Sequence, residues 1–198
     1  MKNMELKVKD ILIKHASRLL KALALMIFIT ASPLNAASAN EWTTYDSRNE
    51  MTDRIFAQAS SPRVSATRTL PFPYNDLKAR IVYQCSETGA EGTAVQFDSD
   101  PNLTDTETTQ EYTEFKVRIR WDDDLRSQPM RHSIGDREVY FVRYDKNGLS
   151  DPLRKLQEHD NVLIEFDIFS AGKAIFKFGL QGSASAITEA QTLCGISS

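Results

Sequence analysis

Tyr112-Thr113-Glu114-Phe115-Lys116-Val117-Arg118-Ile119-Arg120-Trp121 alternates without a break. Phe115, Val117, Ile119 and Trp121 fall on one side of the chain, and Lys116, Arg118 and Arg120 on the other. A period of two marks a strand with one face in a core and one in water. The wet face has two readings. It is a solvated strip whose cations pair with Glu and Asp on neighbouring strands, each pair contributing little. Or it is a basic strip that receives an acidic partner. Asp122-Asp123-Asp124 follows; consecutive carboxylates on a strand point to opposite faces, so a solubilising loop end is expected rather than a metal cluster.

The flanking chain supplies partners for this strand. Downstream, Val162, Ile164, Phe166 and Ile168 alternate with Leu163, Glu165, Asp167 and Phe169. Ser170-Ala171-Gly172-Lys173 is a tight turn, and Ala174 to Leu180 returns with Phe176, Phe178 and Leu180 aligned, which together predict a β-hairpin. Arg137 to Tyr144 is apolar on both faces and reads as an interior strand. Ser127 to Asp136, with Pro129 and Gly135, reads as a loop or short edge strand. Upstream, Ala79, Ile81, Tyr83 and Cys85 share one face of a strand over residues 77–86; a turn at Glu87 to Gly92 leads back through Val95 and Phe97. Arg54 to Ala59 reads as a weak strand, and residues 60–69 as a loop or edge. Pro71-Phe72-Pro73-Tyr74-Asn75-Asp76 is turn chemistry, because proline cannot donate to a ladder. Trp42 and Tyr45 are expected to anchor the start of the domain.

Two helices are expected. Asp151 caps a short one with Pro152 in its first turn and Leu153 and Leu156 on one side. The second runs from Gly182-Ser183 to about Leu193, capped by Ser183 or Ser185 and stopped at Gly195. Ile187, Ala190 and Cys194 then share one helical face. The sum is one mostly β domain, an antiparallel sandwich or partly open barrel of about seven to nine strands, closed by a C-terminal helix.

The first residues read differently. Lys2, Lys7, Lys9, Lys14, Arg18 and Lys21 precede a short apolar run, Ala22 to Thr30, and then Ala37-Ser38-Ala39. A basic region, a short apolar core and a small-x-small site describe a secretory signal peptide, and the run is about half the ~20 residues a spanning helix needs. Cleavage is expected after Ala39, with Ala36 or Ala37 as alternatives, and the mature domain over residues 40–198. The full chain has 24 Lys and Arg and 27 Asp and Glu. Six basic and two acidic residues fall in residues 1–39, which leaves 18 and 25, a formal −7. Such a balance disfavours nucleic acid and anionic lipid. Periplasmic or secreted localisation makes Cys85 and Cys194 an expected disulfide, 109 residues apart, rather than a redox or metal pair, since no Cys-x-x-Cys occurs.

Chemistry is harder to find. His132 and His159 stand in polar contexts and read as surface histidines, and no Gly-x-Ser-x-Gly elbow or phosphate-binding glycine loop occurs. Asp98-Ser99-Asp100-Pro101-Asn102 opens like a calcium loop, but Leu103 replaces the glycine and Thr109 the bidentate Glu. Asn102-Leu103-Thr104 is formally a glycosylation sequon. Glu165 and Asp167 share a strand face as a glycosidase pair would, without a readable cleft. No catalytic residue, metal ligand or cofactor is assigned.

One pattern runs the length of the domain: Trp42; Met51-Thr52-Asp53; a strand ending in Cys85; Val117-Arg118-Ile119-Arg120-Trp121-Asp122; and Phe178-Gly179-Leu180-Gln181-Gly182 before Ala186-Ile187 and Cys194. It resembles the TagO/VasI group of small exported proteins associated with type VI secretion, and their broader uncharacterised relatives. The chain departs from that pattern in its acidic stretch at 98–111 and in Asn49-Glu50 before Met51. The resemblance implies a periplasmic accessory protein with no catalytic residues to carry over. The expected function is therefore a non-catalytic envelope binding protein whose partner, another envelope or secreted protein, meets a strand edge or the Lys116, Arg118 and Arg120 face. The alternative is an inhibitor of an envelope-degrading enzyme such as lysozyme, ahead of a polysaccharide-active enzyme.

Overall fold

The computed structural model describes residues 41–103, 112–133, 135–142 and 151–196. The expected signal peptide, the acidic stretch 104–111 and the turn at 145–148 lie outside the described residues. All described residues fall within one compact unit, Ala37–Ser198.

Ten strands form one antiparallel sheet. They are β1 (Thr43–Arg48), β2 (Ile55–Ser60), β3 (Val64–Ser65), β4 (Lys78–Ser86), β5 (Glu91–Phe97), β6 (Thr113–Trp121), β7 (Asp124–His132), β8 (Glu138–Phe141), β9 (Asn161–Ile168) and β10 (Gly172–Gly179). Their spatial order is β1-β2-β4-β5-β8-β7-β6-β9-β10, with β3 beside β4. The sheet is not closed into a barrel. It curls far enough that Ala66, just after β3, makes a single bridge to Phe176 of β10. Arg68 reinforces that approach, donating from Nε to the Lys173 carbonyl at 2.8 Å and from Nη2 to the Ala171 carbonyl at 2.7 Å.

The concave face holds the core. Ile119 and Trp121 of β6, Ile81 and Tyr83 of β4, and Val162, Ile164 and Phe166 of β9 are fully buried there. Phe97 meets Phe166 and Phe176 edge-on, with ring centroids 5.3 and 5.6 Å apart, an arrangement favoured by the ring quadrupoles. The alternation that marked β6, β9 and β10 in sequence is thus the alternation between this core and the convex surface; on β4 the outward Val82 is buried as well.

Helix α1 (Asp151–Glu158) buries Leu156 and brings Lys155 beneath the β6–β7 turn. The Lys155 ammonium, almost enclosed, lies 3.2 Å from Asp124 and 5.6 Å above the Trp121 ring. Helix α2 (Ser183–Leu193) packs Ala186, Ile187 and Ala190 against β1, β2 and β4. It begins at Gly182, in the left-handed region at φ 85°, without a side-chain cap. The expected Ser183 cap does not form, because the Ser183 hydroxyl donates to the Leu156 carbonyl and joins the two helices. Its end is as expected: Gly195 takes φ 69°, its N–H reaches the Thr192 carbonyl, and the Ile196 N–H reaches that of Gln191, a Schellman motif. The disulfide joins Cys85 of β4 to Cys194 at the foot of α2, with Cα atoms 6.1 Å apart.

Other expectations change. Where a loop or short edge strand is expected over residues 127–136, Asp124–His132 is a nine-residue strand inside the sheet, between β8 and β6. On the side that carries its buried residues stand Asp124 and Arg126, both exposed, then Gln128, Met130 and His132, of which only Met130 is apolar, so it shows no hydrophobic period; hydrogen bonding to β6 along its length holds it instead. Tyr45 points outward and is 65% exposed, whereas Trp42 anchors the domain by donating from Nε1 to the Gly179 carbonyl at 3.1 Å. His132 is buried, with Nε2 2.9 Å from the Asp136 carbonyl oxygen. His159 is half-buried against Asp122, at 2.9 Å.

Candidate functional site

The convex face of β6 is built by register. Arg118 stands opposite Glu165 on β9, and Arg120 opposite Leu163 on β9 and Leu125 on β7. Across the next ladder Leu163 faces Lys177 of β10, and Glu165 faces Ile175. The result is a shallow hollow of about 200 Å³ lined by Arg118, Arg120, Leu125, Leu163, Glu165 and Ile175. Its apolar walls are exposed or half-exposed; Leu125 is 62% exposed on a position facing water.

The three cations proposed from the β6 pattern do not behave alike. Arg118 is bound by Glu165 in a forked pair, Nε to Oε1 at 3.0 Å and Nη2 to Oε2 at 2.6 Å. Lys173 also reaches Glu165, at 3.3 Å. The hydrogen bond from Arg118 chiefly holds the Glu165 carboxyl below its usual range, and the same bond raises Arg118. Arg118 therefore organises the floor of the hollow. Lys116 and Arg120 are exposed and, among the described residues, have no ion-pair partner; Lys177 of β10 is the same. Arg118 is paired as the solvated-strip reading expects, while Lys116, Arg120 and Lys177 form no ion pair among the described residues; exposed Asp167, on the same side of β9 as Glu165, forms none there either.

Sequence reasoning placed Lys116, Arg118 and Arg120 correctly on the wet face. It missed Lys177, Lys173, Leu163 and Ile175, because their membership depends on β9 and β10 lying beside β6. Alternation in the hairpin showed that these residues face outward, but no local signal tells which strand they neighbour.

The remaining candidates are accounted for structurally. Asp98 accepts the Lys78 amide at 3.0 Å and Asp100 the Asn102 amide at 2.9 Å, so both carboxylates serve the backbone. Asp122 accepts the amides of Asp160 and Asn161 as well as His159, and its pKa falls, first through the His159 bond. Asp124 falls through its bond to Arg126 and then to Lys155. Among the described residues no group of His, Cys, Asp and Glu is arranged to hold a metal ion. Among them, too, no helix is long and apolar enough to cross a membrane. A larger cavity of about 500 Å³ lies between Tyr112, Arg131, Tyr140 and Pro152. There the Arg131 guanidinium sits 3.9 Å over the Tyr112 ring and 2.7 Å from Glu114, which ties it into the wall.

Compared with family models, curated proteins and solved structures, the chain matches none of them.

Proposed function

We propose that this chain is a non-catalytic accessory protein of the bacterial cell envelope that docks an acidic partner protein on the convex face of β6, β9 and β10. The observation that carries the reading is the unpaired cation set Lys116, Arg120 and Lys177 around the Leu125, Leu163 and Ile175 hollow. Positive charge of this kind on a domain of formal −7 has no internal use in the fold. It gives a partner both steering and register, while the apolar floor supplies contact area. The signal-like first residues and the Cys85–Cys194 disulfide support an exported setting, since such bonds persist in oxidising compartments. The TagO/VasI resemblance supports type VI secretion as that setting.

The test is crosslinking of the protein in the periplasm, followed by identification of what is captured. Lys116→Glu/Arg120→Glu serves as the control, because neither residue holds the fold, whereas Arg118→Glu would set two carboxylates together. Capture of a protein with an acidic segment, lost in the double variant and weakened by salt, supports the reading. Capture unchanged in the variant would move the interface elsewhere. Capture of a muramidase would favour the inhibitor reading.

A further inference from the structure

The convex face of the other half of the sheet has a different chemistry. Register sets Tyr45 of β1 opposite Gln58 of β2, Gln58 opposite Gln84 of β4, and Gln84 opposite Gly92 of β5. Beyond the glycine lies the ring of Tyr140, on β8; a Cβ built at Gly92 would stand 3.9 Å from it. The next row places Phe56 between Ser47 and Ser86. A row of two primary amides is therefore bounded by an exposed aromatic ring at one end and a half-buried one at the other, with a third ring beside it. Phe56, Gln84, Ser86, Glu91, Gly92 and Tyr140 line a hollow of about 270 Å³, in which the Glu91 carboxylate accepts from the Tyr83 hydroxyl at 2.8 Å.

Glu138 and Arg80 beside the row are engaged by neutral side chains. Glu138 accepts from Gln96 at 2.7 Å, from Gln84 at 3.1 Å and from the Tyr140 hydroxyl. Arg80 donates to Gln96 at 2.7 Å. The amides retain capacity. Gln84 Nε2 donates to Glu138 and, at 3.4 Å, to Gln58 Oε1, so Gln84 Oε1 and Gln58 Nε2 make no hydrogen bond among the described residues. An acceptor and a donor therefore stand side by side between aromatic surfaces.

We infer that this face binds a neutral oligosaccharide laid across β1, β2, β4 and β5, with a sugar ring seated in the hollow at Gly92. Sugars present C–H faces that stack on aromatic rings and hydroxyls that both donate and accept, which is what a ring–amide–amide–ring row offers. The row itself, Tyr45, Gln58, Gln84 and Gly92, carries no charge, and that uncharged surface suits an uncharged ligand. Four strand spacings from Tyr45 on β1 to Tyr140 on β8 give a track of roughly 19 Å, enough for a short oligosaccharide rather than one sugar. Gly92 leaves the hollow open without demanding an unusual backbone.

The experiment is isothermal titration of the protein purified from periplasm with three uncharged probes: chitotetraose, cellotetraose and maltotetraose. Saturable binding of at least one is expected. Tyr45→Ala, an exposed site, should weaken it about tenfold, and Gly92→Leu should abolish it by filling the hollow. Arg120→Glu, on the other face, should leave it unchanged. If Gly92→Leu does not fold, Tyr45→Ala decides alone. No saturable binding by any probe overturns the inference, and so does binding that Tyr45→Ala leaves intact.

Discussion

The two halves of one sheet turn unlike faces outward and rest on differently composed parts of one core. The β6, β9 and β10 half shows cations around an apolar hollow, and behind it stand large rings, Phe166, Phe176 and Phe178. The β1, β2 and β4 half shows amides and aromatic rings. Behind it lie small residues, Ala57 and Ala59, against which α2 packs through Ala186 and Ala190 under a disulfide. The small residues on β2 let the helix approach closely and a covalent bond ties it there, beside Ile81, Tyr83 and Ile187, whereas the other half is held by aromatic packing. Outward chemistry thus varies independently of how each half is held, and the two can be broken separately.

The largest effect belongs to the stapled half. Closing a loop of order 100 residues contributes about 4–5 kcal/mol in the chain-entropy model. Cys85→Ala or Cys194→Ala should each lower the unfolding midpoint alike, and the double variant should add little. Additive losses in denaturant unfolding would mean that the thiols act separately. On the other half, Phe166→Ala should cost about 3–5 kcal/mol by leaving a cavity between Phe97 and Phe176. A loss near zero would mean that the ring cluster does not hold that half.

Acid should act on the basic half first. The depressed carboxyls Glu165, Asp122 and Asp124 belong to β9, the β6–β7 turn and β7. A folded pKa below the unfolded value, roughly 4, gives stability that is full above that value and lost as pH falls through the folded one. Stability measured from pH 6 downward should therefore hold and then drop below about pH 4. Glu165→Gln should flatten part of that drop. An unchanged profile would remove the Arg118–Glu165 fork from the account.

The smallest stability effects are at the outward residues themselves. Arg120→Glu and Tyr45→Ala touch neither core nor network, so each should shift stability by no more than about 0.5 kcal/mol. A larger loss in either would mean that its face serves the fold rather than a ligand.

Much of this was legible in the chain because buried strands announce themselves. Ala79-Ile81-Tyr83-Cys85 and Val162-Ile164-Phe166-Ile168 alternate because one side is core, and the same logic aimed Cys85 and Cys194 at each other. β7 was not legible: Gln128 and His132 are buried on it and Arg126 on the same side is exposed, so its place comes from hydrogen bonding to β6 rather than from hydrophobic period. Ser183 misled for a related reason, since a hydroxyl that can cap its own helix went instead to α1. Both candidate faces assemble across strands distant in sequence. The β6 cations could be named from one stretch, but Lys177, and the Tyr45–Gln58–Gln84–Gly92 row, exist only once strand order is known.

The most direct test of the account is the affinity of the captured acidic partner for three forms of the protein: unchanged, Lys116→Glu/Arg120→Glu, and Tyr45→Ala. Charge reversal should weaken binding by at least about a hundredfold at low salt, the loss should shrink as salt rises, and Tyr45→Ala should bind as the unchanged protein does. Equal affinity for all three, or a loss confined to Tyr45→Ala, would contradict it.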